Sequence, residues 1–176
     1  MKKLVIVIHP DPEHSAVNKR WVNELEKYPE VYTIHDLYAR YPDGKIDVES
    51  EQQLLERFDA IVFQFPFYWF SAPPLFKQWQ DEVLTHGWAY GKGSPYKLAG
   101  KKVALAISAG INEEDYKPSG RYKYTLAQLT APFEITFGYI RATYRPLFAF
   151  YGTEHNGTQE RIEESTLEYM DFLRNL

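Results

Sequence analysis

Leu4-Val5-Ile6-Val7-Ile8-His9-Pro10-Asp11-Pro12-Glu13-His14-Ser15-Ala16-Val17-Asn18 is the stretch on which the architecture turns. Its first five residues are aliphatic without alternation, the mark of a strand buried on both faces inside a parallel sheet. His9-Pro10-Asp11-Pro12 breaks that strand. Ser15 stands where an N-cap belongs, and Val17, Trp21, Val22, Leu25 and Tyr28 follow at helical spacing. Tyr28-Pro29 ends the helix, because a residue before proline is pushed out of the α region.

The same alternation runs outward from this unit. Residues 31–37 read as a second strand, Tyr41-Pro42-Asp43-Gly44 as a turn, and residues 48–57 as a short helix. Residues 60–65 form an apolar third strand, and Pro73-Pro74 opens a helix carrying Phe76, Trp79 and Val83 on one face. Residues 87–100 read as a loop and 103–108 as a fourth buried strand. Residues 111–122 are polar and turn-rich, 126–137 form a helix, 147–151 a last strand, and 159–173 a charged amphipathic helix. Strands alternating with helices imply an open α/β sheet covered on both sides, and five strands fit the order 2-1-3-4-5. Ligands then sit beyond the carboxyl ends of strands one, three and four, at residues 9–15, 65–71 and 108–116.

Composition narrows the chemistry. The chain has 176 residues and a formal net charge of −4, which gives no global attraction for nucleic acid. It contains no cysteine, so disulfides, thiolate nucleophiles and Cys-ligated metal centres are excluded. The histidines show no metal-ligand spacing, and no metal site is expected. The aliphatic run at residues 4–8 is too short for a signal h-region or a membrane span, so a cytoplasmic protein is the expectation. Aromatic residues make up 16% of the chain, enough to line a site for a flat ligand or an interface as well as a core.

Each of the three loops carries a motif. Ser15 and Asn18 lie three apart on the first turn of a helix, where free backbone N–H groups favour an anion; the pattern reads equally as a plain N-cap. Phe67-Tyr68-Trp69-Phe70 is a run of four aromatics that cannot all face one core, so some cover a ligand or a subunit contact. Ser108-Ala109-Gly110 is a small-residue loop that lets backbone approach a ligand, and also reads as a tight turn. No G-x-G-x-x-G follows the first strand and no P-loop motif occurs.

His9-Pro10 with Ser15 to Arg20, Tyr41-Pro42-Asp43, Ile46 to Glu49, Gln64 to Leu75, Lys77-Gln78-Trp79, Val83 to Gly91 and Leu98 to Lys101 together resemble the NAD(P)H:quinone oxidoreductases of flavodoxin-like fold. The nearest branches are the bacterial general-stress oxidoreductases and the ancillary flavoproteins of glutathione-gated potassium efflux. The resemblance covers Lys3 to about Gly152. It implies one flavodoxin-like flavin-binding domain over residues 1–176, a three-layer sandwich around a five-stranded parallel sheet. It also implies FMN or FAD as cofactor, NADH or NADPH as co-substrate, a quinone or similar two-electron acceptor, and a homodimer. The second branch implies a membrane antiporter as partner instead. By position, His9, Ser15, Ala16, Val17 and Asn18 would surround the flavin phosphate. Phe67, Tyr68, Trp69 and Phe70 would run along the isoalloxazine ring, and Ser108, Ala109, Gly110 and Ile111 would meet its polar edge. Tyr116 would hydrogen-bond near the ring or substrate as the catalytic candidate. The family often carries two threonines and two glycines in the third loop, so Ile111 adds bulk where a glycine is usual, and this bears on substrate access. Trp88 and Tyr90 are expected to cross toward a second subunit.

Overall fold

The computed structural model describes residues 2–176. β1 (Lys3–Val7), β2 (Tyr32–Asp36), β3 (Ala60–Pro66) and β4 (Lys102–Ala109) lie parallel in the order β2-β1-β3-β4. Two short strands, β5 (Thr143–Tyr144) and β6 (Phe148–Tyr151), share the fifth position and both pair with β4 in parallel. Lys102 stands opposite Thr143, and Ala106 opposite Phe148. The expected order therefore holds, with a sixth strand added by a break. Pro146 lies in that break, and it has no N–H to give to the ladder.

Seven helices flank the sheet among the described residues: α1 (Ala16–Leu25), α2 (Leu37–Arg40), α3 (Val48–Glu56), α4 (Pro74–Val83), α5 (Leu126–Leu129), α6 (Ala131–Tyr139) and α7 (Gln159–Arg174). All five residues of β1 are buried, which for Leu4 to Val7 is what an aliphatic run without alternation requires. Leu4, Ile6 and Ile8 pack with Leu55, Phe76, Trp79, Phe133 and Phe137 from α3, α4 and α6. Val5 and Val7 pack with Val17, Trp21 and Leu25 from α1 and with Tyr169 and Leu173 from α7. Much of the aromatic content goes into the first of these cores. Phe63 stacks on Phe76 at 4.7 Å and on Phe137 at 5.2 Å, and Phe76 stacks on Phe133 at 5.3 Å. Stacked and edge-on rings add to the burial of their area.

Two elements differ from the sequence expectation for local reasons. The helix expected over 126–137 is broken at Thr130, whose hydroxyl donates to the Leu126 carbonyl, and Pro132 starts the second piece. The end of the second strand turns directly into α2, because the Asp36 side chain accepts from the Ala39 N–H at 2.9 Å and caps a new helix.

Candidate active site

The carboxyl ends of β1, β3 and β4 open onto a cleft of about 420 Å³, within the usual range for a small-molecule site. One wall is His9, Asp11, His14, Ser15, Ala16 and Val17. Pro66, Phe67, Tyr68, Ser108 and Gly110 form the second, and Thr153, Glu154, Gly157 and Ile162 close the third.

Ser15 caps α1: its Oγ accepts the Asn18 N–H at 3.2 Å. The N–H groups of Ala16 and Val17 lie in the first turn, where no intrahelical acceptor exists, so they are free to meet an anion. The Asn18 side chain, expected to join them, is engaged with protein partners behind the cleft. Asn18 is 1% exposed and does not line the cleft. Its Nδ2 donates to Ser108 Oγ at 2.8 Å and to Ser15 Oγ at 3.1 Å, and its Oδ1 accepts from Gln64 Nε2 at 3.2 Å.

His9 is buried, and its Nδ1 accepts the Asp11 N–H at 3.1 Å. That bond places the hydrogen of the neutral ring on Nε2. Burial lowers its pKa below the ordinary histidine value, against the opposing charges of Asp11 and Asp36. At neutral pH the ring is therefore uncharged and offers a single N–H. His14 and Asp11 meet at 2.8 Å on the surface, a pair that contributes little to stability.

The aromatic loop divides. Phe67 continues the β3–β4 ladder, its N–H donating to the Ser108 carbonyl at 2.8 Å. Phe67 and Tyr68 line the cleft, while Trp69 and Phe70 do not. Trp69 is 94% exposed with φ +47°, and Phe70 follows at φ +59°. The Ser71 N–H closes this turn on the Tyr68 carbonyl at 2.9 Å. Phe70 rests edge-on against Tyr122 at 4.9 Å.

Tyr116 is also outside the cleft wall. It is buried behind Phe67, with ring centroids 6.1 Å apart, and packs on Tyr122 and Tyr151. Burial pushes its phenol up to about 12, so it holds its proton throughout the neutral range. Its position fits support of the Phe67 ring, where sequence reasoning expected a substrate contact. Ala109 is fully buried beneath the third loop. Ile111 does not line the cleft, and its carbonyl accepts the Gly152 N–H at 2.9 Å.

That last bond belongs to a set that brings in a wall the sequence reading missed. The Thr153 N–H donates to the Ala109 carbonyl at 3.1 Å, and the Glu154 N–H to the Gly110 carbonyl at 3.1 Å. A Cβ at Gly110 would lie 2.5 Å from Glu154 Oε1, so the glycine makes room for that carboxylate. The available signal was the strand expected at 147–151. The loop after it also emerges at a carboxyl end, where the rule for open parallel sheets places ligands. Trp88 and Tyr90, expected to cross toward a second subunit, are both half-buried on their own chain. Trp88 Nε1 donates to Glu56 at 2.8 Å, and Tyr90 packs on Tyr139 at 5.5 Å.

Comparison with known proteins places this geometry among relatives of the same design. A Bacillus subtilis (strain 168) protein, described as the uncharacterized NAD(P)H oxidoreductase YrkL, is 51% identical over 174 residues, which cover 99% of this chain and 98% of that one. The glutathione-regulated potassium-efflux system ancillary protein KefG of Pectobacterium carotovorum is 44% identical over 135 residues, 77% of this chain and 73% of that one. The crystal structure of general stress protein 14 from Treponema denticola, in complex with FMN, superimposes with a TM-score of 0.93 at 44% identity, covering 99% of each chain. An NADPH-quinone reductase structure from P. pentosaceus gives 0.89 at 30% identity, covering 100% of this chain and 99% of that one. A family model described by its flavodoxin-like fold matches residues 1–173, and the chain belongs to that family, Flavodoxin_2.

Proposed function

We propose that the chain is a flavin-dependent NAD(P)H oxidoreductase that holds FMN, or FAD, in this cleft and reduces quinones or similar two-electron acceptors. The observation that carries the reading is the pairing of a donor-lined floor with an aromatic wall at the carboxyl edge of the sheet. Ser15, Ser108, His9 Nε2 and the first N–H groups of α1 converge there. The residues present fit a flavin mononucleotide: acceptor-rich phosphate and ring edges meet donors, and the flat ring meets Phe67 and Tyr68. When bound, the flavin supplies the hydride chemistry between NADH or NADPH and the acceptor.

The protein's part is placement. His9, Ser15, Ala16 and Val17 hold the phosphate end, and Phe67 and Tyr68 align the ring. Gly110 meets its polar edge, and the Ser108 hydroxyl, held by the same Asn18 amide as Ser15, faces the phosphate end. Asn18, Ala109, Ile111 and Tyr116 shape these contacts from behind, while Trp69 and Phe70 overhang the mouth where nicotinamide and acceptor enter. One domain over residues 1–176 serves as the unit, and a homodimer is its assembly. The exposed Trp69 ring beside the cleft supports a second copy covering the mouth. Sedimentation of the flavin-loaded protein at micromolar concentration should give a dimer, and a monomer would remove that part.

The deciding experiment is an anaerobic titration. Purified protein with FMN should lose its visible flavin absorption on adding NADPH or NADH and regain it on adding a quinone. Because both substrates use one mouth, initial rates over a grid of the two should give parallel lines. No flavin uptake would sink the reading. A second reading, an ancillary subunit of a potassium-efflux antiporter, is supported by the likeness to KefG. Flavin binding without quinone turnover would favour it.

A further inference from the structure

We propose that Asn18 is a positioning residue. With Gln64 behind it, its amide turns the hydroxyl hydrogens of Ser15 and Ser108 toward the cleft and makes the floor a donor-rich seat for a phosphate monoester. The proposal deepens the flavin reading above and rests on it.

The direction of every hydrogen follows from one carbonyl. Gln64, on β3 and fully buried, donates from Nε2 to the Asn18 carbonyl at 3.3 Å and to Asn18 Oδ1 at 3.2 Å. A backbone carbonyl can only accept, so the Gln64 amide cannot be the other way round. Its Oε1 takes the hydroxyl of the fully buried Tyr169, on α7, at 2.9 Å. Asn18 must then face its oxygen to Gln64 and its NH₂ to the serines. Both of its amide hydrogens are engaged, on Ser108 Oγ at 2.8 Å and on Ser15 Oγ at 3.1 Å. Asn18 has nothing left to give a ligand.

The serines are the opposite case. Ser15 Oγ accepts twice, from the Asn18 amide and from the Asn18 backbone N–H at 3.2 Å. With both lone pairs occupied, its remaining hydrogen can only donate outward. Ser108 Oγ accepts from Asn18 on its inner side, and among the described residues neither hydroxyl donates to a protein acceptor. Both serines line the cleft beside the open N–H groups of α1. A serine hydroxyl left to itself turns to suit a donor or an acceptor. Held by Asn18, Ser15 suits only an acceptor, while Ser108 is held on one lone pair with its hydrogen free for the cleft; both are positioned before the ligand arrives. Phosphate oxygens accept, so the serine hydroxyls and the α1 N–H groups favour the phosphate; the lining holds no lysine or arginine, and its carboxylates, Asp11 and Glu154, stand on the walls.

The test compares FMN with riboflavin, which lacks the phosphate, by fluorescence titration of wild type and Asn18→Leu, with apo-protein melting as a check on folding. Asn18→Leu should weaken FMN about tenfold, the loss of roughly one hydrogen bond to a charged group, and riboflavin less than about twofold. In a Ser15→Gly, Ser108→Ala background it should add less than about twofold for FMN, because the groups through which it acts are gone. A further tenfold loss in that background, equal weakening of both ligands, or no change for FMN would each overturn the proposal. If the wild type binds neither flavin, the flavin reading fails on its own. Inorganic phosphate then decides: it should shift the Ser15 and Ser108 NMR signals in wild type and not in Asn18→Leu. Should that variant not fold, wild-type NMR suffices. The Asn18 side-chain amide protons should exchange slowly and keep their shifts when FMN, or phosphate, is added; fast exchange or a direct ligand shift overturns the assignment.

Discussion

Glu51 is 1% exposed on α3 and receives three donors: His35 Nε2 at 2.7 Å, Tyr41 at 2.8 Å and Trp79 Nε1 at 2.8 Å. Burial by itself would raise its pKa, but donation from His35 first, then from Trp79 and Tyr41, outweighs that and holds the carboxyl below its ordinary value. Tyr41, buried against the same carboxylate, is pushed up to about 12. The sign of the linkage follows. A carboxyl depressed in the folded state contributes stability that is complete above its unfolded value, about 4.3, and is lost as pH falls through the lower folded value. Urea unfolding should therefore be steady from neutral pH to about 5 for this group and weaken below about 4. Glu51→Gln should lower stability at neutral pH by about 2 kcal/mol, because one donor then faces an NH₂ group. It should also flatten the acid limb. An unchanged acid limb in the variant would assign the acid sensitivity to other carboxylates.

The loop after β3 is strained at the place where the proposed function uses it. Trp69 and Phe70 are consecutive non-glycine residues at positive φ, and the Trp69 side chain has almost no packing to compensate. Left-handed backbone costs such a residue about 1 kcal/mol. Trp69→Gly removes that strain while adding freedom to the unfolded chain, so stability should stay within about 1 kcal/mol of wild type. Quinone turnover should fall tenfold to a hundredfold, since ring and substrate placement loosen, and a misplacement of about 1 Å has that effect. Paired melting and rate measurements check both halves; a fall in stability with unchanged turnover would contradict the expectation. Elements of this kind also mark the limit of what sequence carries. β1 was legible because a short run of five aliphatics bounded by the His9-Pro10-Asp11-Pro12 break suits a doubly buried strand, and α1 because Ser15 precedes a helical stripe. The break at Thr130 was not, since the apolar stripe continues across it. Asn18 was placed on the right face of α1, but the partner that engages it, Ser108, lies 90 residues away. Only the β3–β4 pairing brings the two together.

For the whole molecule, the cleft lies where β1, β3, β4 and the segment after β6 end, so a ligand there ties together parts of the chain from His9 to Ile162. Anything that binds the folded state and not the unfolded one stabilises by mass action. FMN at a hundredfold excess over its dissociation constant should add about 2.7 kcal/mol. For a chain of this length that is roughly 5–10 °C in melting temperature. A scan with and without FMN checks this, and coincident curves would count against a flavin site. The exposure of Trp69 has one more consequence, an optical one. The chain has four tryptophans; Trp21 and Trp79 are 0% exposed, Trp88 is half-buried with its N–H on Glu56, and Trp69 is 94% open. Indoles in water emit further to the red than indoles in a dry interior, so the red edge of the emission belongs mainly to Trp69. Iodide should quench that edge selectively in the isolated chain. Covering the mouth, by a second subunit or an acceptor, should shift the same edge to the blue and shield it, which makes the loop a built-in gauge of its own occupancy.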